Sequence, residues 1–451
     1  MKNNIGDIVE GEIVDFTHEG KGVLKVDNFI VFVDGGLIGD KVEVEISEVK
    51  KNFAQGFVTK LLEASKDRVK LDFEIEESRG GIPLIEYSYQ KQLEWKREKV
   101  KTDLAKIAGL TDVNIKNTIG MDKPYRYRNH TQIAVGKKNG KTLIGFYEMN
   151  SNDIVDMKKS ILQSELADRI LDIIRRWMKE YNITSYNKRN KQGTLRHIGI
   201  RTNKDNEAMV ILVTGSEKLL NKPKLIEALT KENVVSIYQN INKMNSPITY
   251  GREYKKIFGE DRILDNIGDY SFSLSPSSFF QTNRSQAEVL YTKAREYLEL
   301  DKDDIVYDLY SGIGTISLYI ADKAKMVYGV ESLKQAVEDA EENAKRNSIE
   351  NVEFIVGKAE VIFPELLEKG IKGNKVVVDP PRKGCEKELL EAIVELGPEK
   401  IAYVSCNPSS MARDVKFLIE NGFEIKEVQP VDMFPHTGHI ECVIGMQRKD
   451  T

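Results

Sequence analysis

The chain is poor in cysteine. It has three in 451 residues, and Cys385, Cys406 and Cys442 all fall in its last third. An odd count with no Cys-x-x-Cys spacing argues against a disulfide framework or a structural zinc site, so no metal is expected. Long apolar runs are also missing, and none reaches the roughly 18–20 residues that a membrane-spanning helix needs. Asp7, Glu10 and Glu12 interrupt the start of the chain, leaving no signal-peptide core. The expectation is a cytoplasmic protein without a membrane partner and, with no dimerisation heptads, a monomer.

A strong net charge is absent too. The balance is -4, with 31% charged and 40% hydrophobic residues. That average hides a segregation. Between Lys91 and Lys141 there are 13 basic and 5 acidic residues, and from Lys188 to Lys204 six basic and none acidic. Clustered positive charge is the footprint of a phosphate-backbone partner, although either stretch alone reads more readily as a solvated face.

The length implies two or three domains. In residues 1–62, Val42-Glu43-Val44-Glu45-Ile46 alternates with period two. Ile8–Phe16 and Phe29–Val33 are strand-like runs punctuated by glycines. Five or so short strands in this length fit an OB-like β-barrel, a fold often used on RNA but also met as a structural addition. Over 86–109, Leu93, Val100, Leu104 and Ile107 recur at helical spacing, with Gly109 as a C-cap. Residues 63–85 and 120–265 mix strand-like runs (131–135, 209–213, 234–241) with helical ones (161–181, 223–231), an α+β pattern.

The last third alternates strands and helices. Strand 305–309 leads through a glycine turn into a helix ending near 324. Strand 326–330 leads into helix 333–346. Strands 352–356, 376–378 and 401–404 follow, then a helix from about 409 to 420 and two strands near 424–431 and 440–446. This is an α/β pattern, a parallel Rossmann-like sheet closed by a hairpin.

Chemistry-bearing residues cluster at the strand ends. Asp308-Leu309-Tyr310-Ser311-Gly312-Ile313-Gly314-Thr315 ends the first strand, Glu331 ends the second, and Asp379-Pro380-Pro381-Arg382 follows strand 376–378. The loop is neither Gly-x-Gly-x-x-Gly nor a Walker motif, which disfavours dinucleotides and nucleoside triphosphates. An acid at the end of the second strand suits ribose hydroxyls, and the three sites together point to S-adenosylmethionine. On the same rim lies Cys406, in Ser405-Cys406-Asn407-Pro408, before a helix whose N-terminus is expected to lower the thiol pKa. Glu441 starts the last strand and is a candidate base.

Phe279-Phe280-Gln281-Thr282-Asn283, Asp308–Thr315, Asp379–Arg382, Ser405–Pro408 and Asp432-Met433-Phe434-Pro435-His436-Thr437 through Glu441 together resemble the RumA/TrmA-type RNA uracil-5 methyltransferases, nearest to those acting on 23S rRNA. The resemblance runs over essentially the whole chain. It implies a TRAM-type RNA-binding barrel at 1–62, a central RNA-binding domain at 63–85 and 120–265, and a methyltransferase domain of 86–119 and 266–451. It further implies Cys406 as nucleophile and Glu441 as proton acceptor. Gln281, Tyr310, Glu331, Asp379 and Thr315 would contact S-adenosylmethionine, and Phe279 would stack on a flipped-out uracil. The expected product is 5-methyluridine in 23S rRNA. The same reaction on tRNA, or RNA binding without catalysis, are the alternatives.

The sequence departs from that pattern twice. Leu71–Gln92 has no cysteine where many relatives carry iron–sulfur ligands, with Gly80-Gly81-Ile82 in place of Gly-Gly-Cys, so no cluster is expected. Lys358 stands where an acid or amide often lies near the adenine.

Overall fold

Alternation of aliphatic and charged residues closes the start of the chain into a barrel. Its strands are β1 (Ile8–Phe16), β2 (Gly22–Val26), β3 (Phe29–Asp34), β4 (Lys41–Val49) and β5 (Phe53–Glu63), in the order β1-β2-β3-β5-β4. The inward set, including Ile13, Leu24, Val31, Val33, Val42, Val44 and Ile46, is fully buried. The structure is a computed structural model that describes residues 4–449 apart from 28, 72, 74–80, 149–150 and 246–247. Gly80, and with it part of the expected 63–85 segment, lies outside the described residues.

Helix α1 (Tyr89–Asp103) continues as one π-helical turn, Leu104–Ala108, and ends at Gly109 with φ 74°. Of the four residues at helical spacing, Val100 and Leu104 are fully buried, whereas Leu93 is only half-buried. The α-helix buries Gln92, Trp95, Lys96, Val100 and Asp103, while Ile107 is 37% exposed. Gln92 and Lys96 turn inward because the loop at 432–436 presents backbone polar groups and the Asp432 carboxylate that need partners.

The central sheet consists of β6 (His130–Lys138), β7 (Lys141–Tyr147), β8 (Ile154–Asp156), β9 (Leu195–Thr202), β10 (Ala208–Thr214), β11 (Val234–Ile241) and β12 (Glu253–Gly259), ordered β12-β11-β10-β9-β6-β7-β8. Helices α2 (Glu165–Glu180) and α3 (Lys222–Thr230) pack with one side of it. On the other side Met209, Ile211, Val213 and Tyr238 join the core of the C-terminal sheet. The two basic stretches are not a free positive surface throughout. Lys96, Arg196 and Arg201 are buried, and Lys91, Lys99, Lys116 and Arg126 are ion-paired.

A hairpin, β13 (Ile263–Ile267) and β14 (Tyr270–Leu274), spans position 266, the expected domain boundary. Its Ile263, Ile267, Phe272 and Leu274 share a core with the C-terminal domain. That domain runs α4 (Arg284–Leu298), β15 (Ile305–Leu309), α5 (Thr315–Ala321), β16 (Met326–Glu331), α6 (Lys334–Arg346), β17 (Val352–Val356), α7 (Ala359–Glu368), β18 (Lys375–Val378), α8 (Lys387–Leu396), β19 (Lys400–Ser405), α9 (Pro408–Glu420), β20 (Phe423–Val431) and β21 (Glu441–Arg448). The sheet order is β17-β16-β15-β18-β19-β21-β20, parallel except for β21, which pairs antiparallel on both sides. The sequence rhythm contains no helix between β17 and β19. The structure has two, α7 with Pro364 inside it and the short α8. From β15 the chain builds first to one side and then, from β18, to the other. That reversal opens a crevice at the carboxyl ends of β15 and β18, where doubly wound sheets bind ligands.

Candidate active site

A cavity of about 770 Å³ fills that crevice. Its lining includes Gln281, Tyr310, Thr315, Glu331 and Asp379, together with Phe279. Tyr310 turns the chain at φ 75°, a conformation costly for a side chain of this size. Glu331 accepts from the backbone N–H of Gly312 at 3.2 Å and of Leu333 at 2.8 Å, which fixes its carboxylate at the rim. Burial raises Asp379 to about 6 and Asp308 to about 7. Asp308 Oδ2 accepts from Ser317 Oγ at 2.5 Å. Tyr291, buried on α4, places its hydroxyl 3.1 Å from Thr315 Oγ1 and bonds to Gln281. Phe279 is 73% exposed at the mouth.

Cys406 follows β19 and precedes α9, whose N-cap Asn407 accepts from the Ser409 N–H. It lies in a second cavity of about 490 Å³, walled on one side by Phe16, Thr17, His18, Val23 and Phe32 of the barrel. The two cavities flank the Asp379–Arg382 loop, with Asp379 and Pro381 lining one and Arg382 the other. Asn407 Nδ2 donates to the Arg382 carbonyl at 2.8 Å and ties the two loops together. The expected lowering of the thiol pKa by the helix N-terminus is overturned. Burial, Glu441 and Asp379 push Cys406 up to about 11, with only Arg382 among the side chains pulling it down. Desolvation, with two nearby carboxyls, outweighs one helix end.

Ser405 pairs with Cys442 across the β19–β21 ladder, so one step further Cys406 stands opposite Glu441. The Glu441 carboxyl is 5% exposed, and burial with Asp379 nearby holds its pKa well above the usual range, opposed by Arg382 and Lys96. Burial also keeps His436 and His439 neutral, lowered to about 4. The site therefore offers a partly exposed thiol, a buried acid beside it, and a rim of acids around the larger cavity.

The model of the tRNA (uracil-5-)-methyltransferase family matches residues 88–449. The chain belongs to this family. A TRAM domain model matches residues 2–59, the barrel. An uncharacterized RNA methyltransferase of Clostridium tetani is 47% identical over 431 residues, covering 95% of this chain and 94% of that protein. One from Clostridium acetobutylicum is 45% identical, covering 100% and 98%. Among solved structures, the Pyrococcus abyssi tRNA (uracil-54, C5)-methyltransferase in complex with S-adenosyl-L-homocysteine is 32% identical, covers 97% of this chain and 100% of its own, and superposes with a TM-score of 0.79.

Within this methyltransferase fold the residues expected from sequence fall into two groups. Gln281, Tyr310, Thr315, Glu331, Asp379 and Phe279 line the larger cavity, as does Lys358. Cys406 and Glu441 lie next to the last rung of the β19–β21 ladder, Ser405–Cys442, near enough for Glu441 to act on the thiol. Sequence reading missed Tyr291, Arg382 as a wall of the Cys406 cavity, and the polar face of α1. Tyr291 sits on α4, a helix that the sequence rhythm does not include, so nothing singles it out. Arg382 was within reach, being part of a motif already noted.

Proposed function

We propose that this chain transfers the methyl group of S-adenosylmethionine to C5 of a uridine in 23S rRNA. The observation that carries the reading is the β19–β21 register, which sets a thiol opposite a carboxyl beside an acid-rimmed cavity of about 770 Å³. Glu331, held by two backbone donors, suits the ribose hydroxyls of the methyl donor, and Gln281, Tyr310, Thr315 and Asp379 complete its binding surface. Phe279 suits stacking on the extruded base.

C5 of uracil is too weak a nucleophile to attack a sulfonium methyl unaided. The Cys406 sulfur bonds to C6, and the C5–C6 π pair shifts to give an enolate. That carbon takes the methyl group, leaving a neutral thioether. Glu441 then removes the C5 proton, the electron pair re-forms the double bond, and the C6–S bond breaks. Burial makes the Glu441 carboxylate a stronger base when ionised, and Arg382 and Lys96 favour the ionised form that this last step needs. The raised thiol pKa means that Cys406 is mostly protonated in the free enzyme; its proton passes to solvent before attack, and the thiolate expelled in the last step takes one back.

A tRNA substrate is the second reading, favoured by the Pyrococcus abyssi structure, which covers 97% of this chain, barrel included. Labelled S-adenosylmethionine offered with unmodified 23S rRNA and with unmodified tRNA separates the two. We expect 5-methyluridine in the rRNA. Methylation confined to tRNA would replace the substrate, and none in either would remove the reading.

A further inference from the structure

Five consecutive residues just ahead of Glu441 are gripped from outside their own sheet. Asp432 Oδ1 takes the Lys96 ammonium at 2.5 Å and Asp432 Oδ2 the Tyr89 hydroxyl at 2.7 Å. The Met433 carbonyl accepts from Asn283 Nδ2 at 3.0 Å, the Phe434 carbonyl from Lys96 Nζ at 3.1 Å, and the Pro435 carbonyl from the Tyr127 hydroxyl at 3.2 Å. At His436 the N–H donates to Gln92 Oε1 at 3.0 Å and the carbonyl accepts from the Leu84 N–H at 3.1 Å. Three of these partners, Tyr89, Gln92 and Lys96, come from one face of α1, at spacings of three and four residues.

Lys96 and Asp432 are both fully buried, at 0% exposure. Taking an ammonium out of water is costly, and apolar side chains of equal volume generally stabilise a core as well or better. A buried pair at this place therefore asks for a role beyond stability. Its position supplies one. Val431 and Glu441 pair across β20 and β21, so the loop pinned by Lys96 begins one residue beyond the rung that carries Glu441. The loop also runs past the barrel and the Cys406 cavity, where Gly438 and His439 form part of the wall.

We infer that Lys96 is a positioning residue for proton abstraction: by holding Asp432 and the Phe434 carbonyl it fixes the 432–440 loop and so sets Glu441 against C5 of the base bound by Cys406. This rests on the proposed reading of Glu441 as the base. The charges facing Glu441 include Asp379 and Arg382 from the β18 loop and Lys96 from α1, and the Lys96 charge favours the ionised carboxylate.

The test replaces the pair by a neutral one of similar volume, Lys96→Met with Asp432→Asn, so that no buried charge is left alone. The cofactor cavity and Cys406 are untouched. The expected result is kcat lowered by roughly 10²-fold with kcat/KM for S-adenosylmethionine and RNA unchanged, since the slowed step follows methyl transfer, and build-up of a denaturant-stable protein–RNA adduct on ordinary uridine RNA, because addition and methylation outrun proton removal. A folded double variant with wild-type kcat, or with lost rate but no adduct, overturns the inference. If the double variant does not fold, Tyr89→Phe keeps the ion pair and removes the hydroxyl that donates to Asp432 and accepts from the Met121 N–H. It should show the same adduct with a smaller loss of rate, and wild-type behaviour there overturns the inference equally. Absence of a wild-type adduct on 5-fluorouridine RNA would instead sink the reading of Cys406 beneath it.

Discussion

Cys406 and Glu441 stand opposite each other because Ser405 pairs with Cys442, one rung back along an antiparallel ladder. The reversed direction of β21 brings this about. A parallel last strand would send residue 441 to the far end of the sheet. Glu441→Gln should therefore leave addition and methyl transfer intact while halting release. The expected observation is a denaturant-stable, methylated enzyme–RNA adduct, seen by gel shift and mass spectrometry, with turnover reduced by roughly 10²–10⁴-fold.

The thiol pKa gives a second prediction. With Cys406 raised to about 11 by burial, Glu441 and Asp379, its alkylation by iodoacetamide in the free enzyme should climb roughly tenfold per pH unit from neutrality upward. Cys385 and Cys442 are buried and should stay unlabelled in the native protein. Glu441→Gln removes a neighbouring negative charge, so its rate profile should shift to lower pH. Peptide mapping reads both effects.

Asp308 should leave a mark on stability. Its folded pKa of about 7 lies above the ordinary 3.8, so the folded state holds the proton more tightly than the unfolded chain. Stability from this group is then fullest below about pH 4 and is lost as pH rises through 7. Asp308→Asn can still accept from Ser317 and carries no such penalty. It should be more stable than wild type at pH 8, by roughly 2–4 kcal/mol, with the advantage vanishing near pH 4, as read by denaturant titrations at the two pH values.

Gly438 is where the barrel meets the loop before Glu441. A Cβ there would lie 2.7 Å from the Thr17 carbonyl oxygen and 2.8 Å from both the His18 carbonyl oxygen and the Gly20 nitrogen, all of them backbone. Gly438→Ala should cost roughly 1–3 kcal/mol and lower methylation by moving the loop. Thermal unfolding and single-turnover rates check the two parts.

Phe279 offers a contrasting case. At 73% exposure it contributes little to the fold, so Phe279→Ala should change stability by no more than about 0.5 kcal/mol. Loss of a stacking partner should raise KM for RNA by roughly 1–3 kcal/mol equivalent and leave S-adenosylmethionine binding unchanged. Equal effects on both substrates would contradict its placement at the base.

Much of this was legible in the letters. Period-two alternation found the barrel, and the strand–turn–helix rhythm found the C-terminal sheet and set Asp308, Glu331, Asp379 and Cys406 on one rim. Contacts between distant segments were not legible. The apolar spacing of α1 marked Leu93, Val100, Leu104 and Ile107, of which Val100 and Leu104 are buried, but it could not show that Gln92 and Lys96 also turn inward, because the carbonyls they satisfy come from Leu84, Tyr87 and Phe434. Likewise, Cys406 beside a helix start suggested a lowered pKa, but burial, together with Glu441 and Asp379 brought up by the fold, reverses the sign. Helix α7 escaped notice because Pro364 interrupts its pattern.

The most direct measurement is trapping on 5-fluorouridine RNA in the presence of S-adenosylmethionine. Fluorine at C5 leaves no proton to remove, so a one-to-one covalent complex should accumulate, carrying the transferred methyl group, with the RNA attached to the peptide containing Cys406. No complex from enzyme active on ordinary RNA, or an equal yield from Cys406→Ala, would contradict the account.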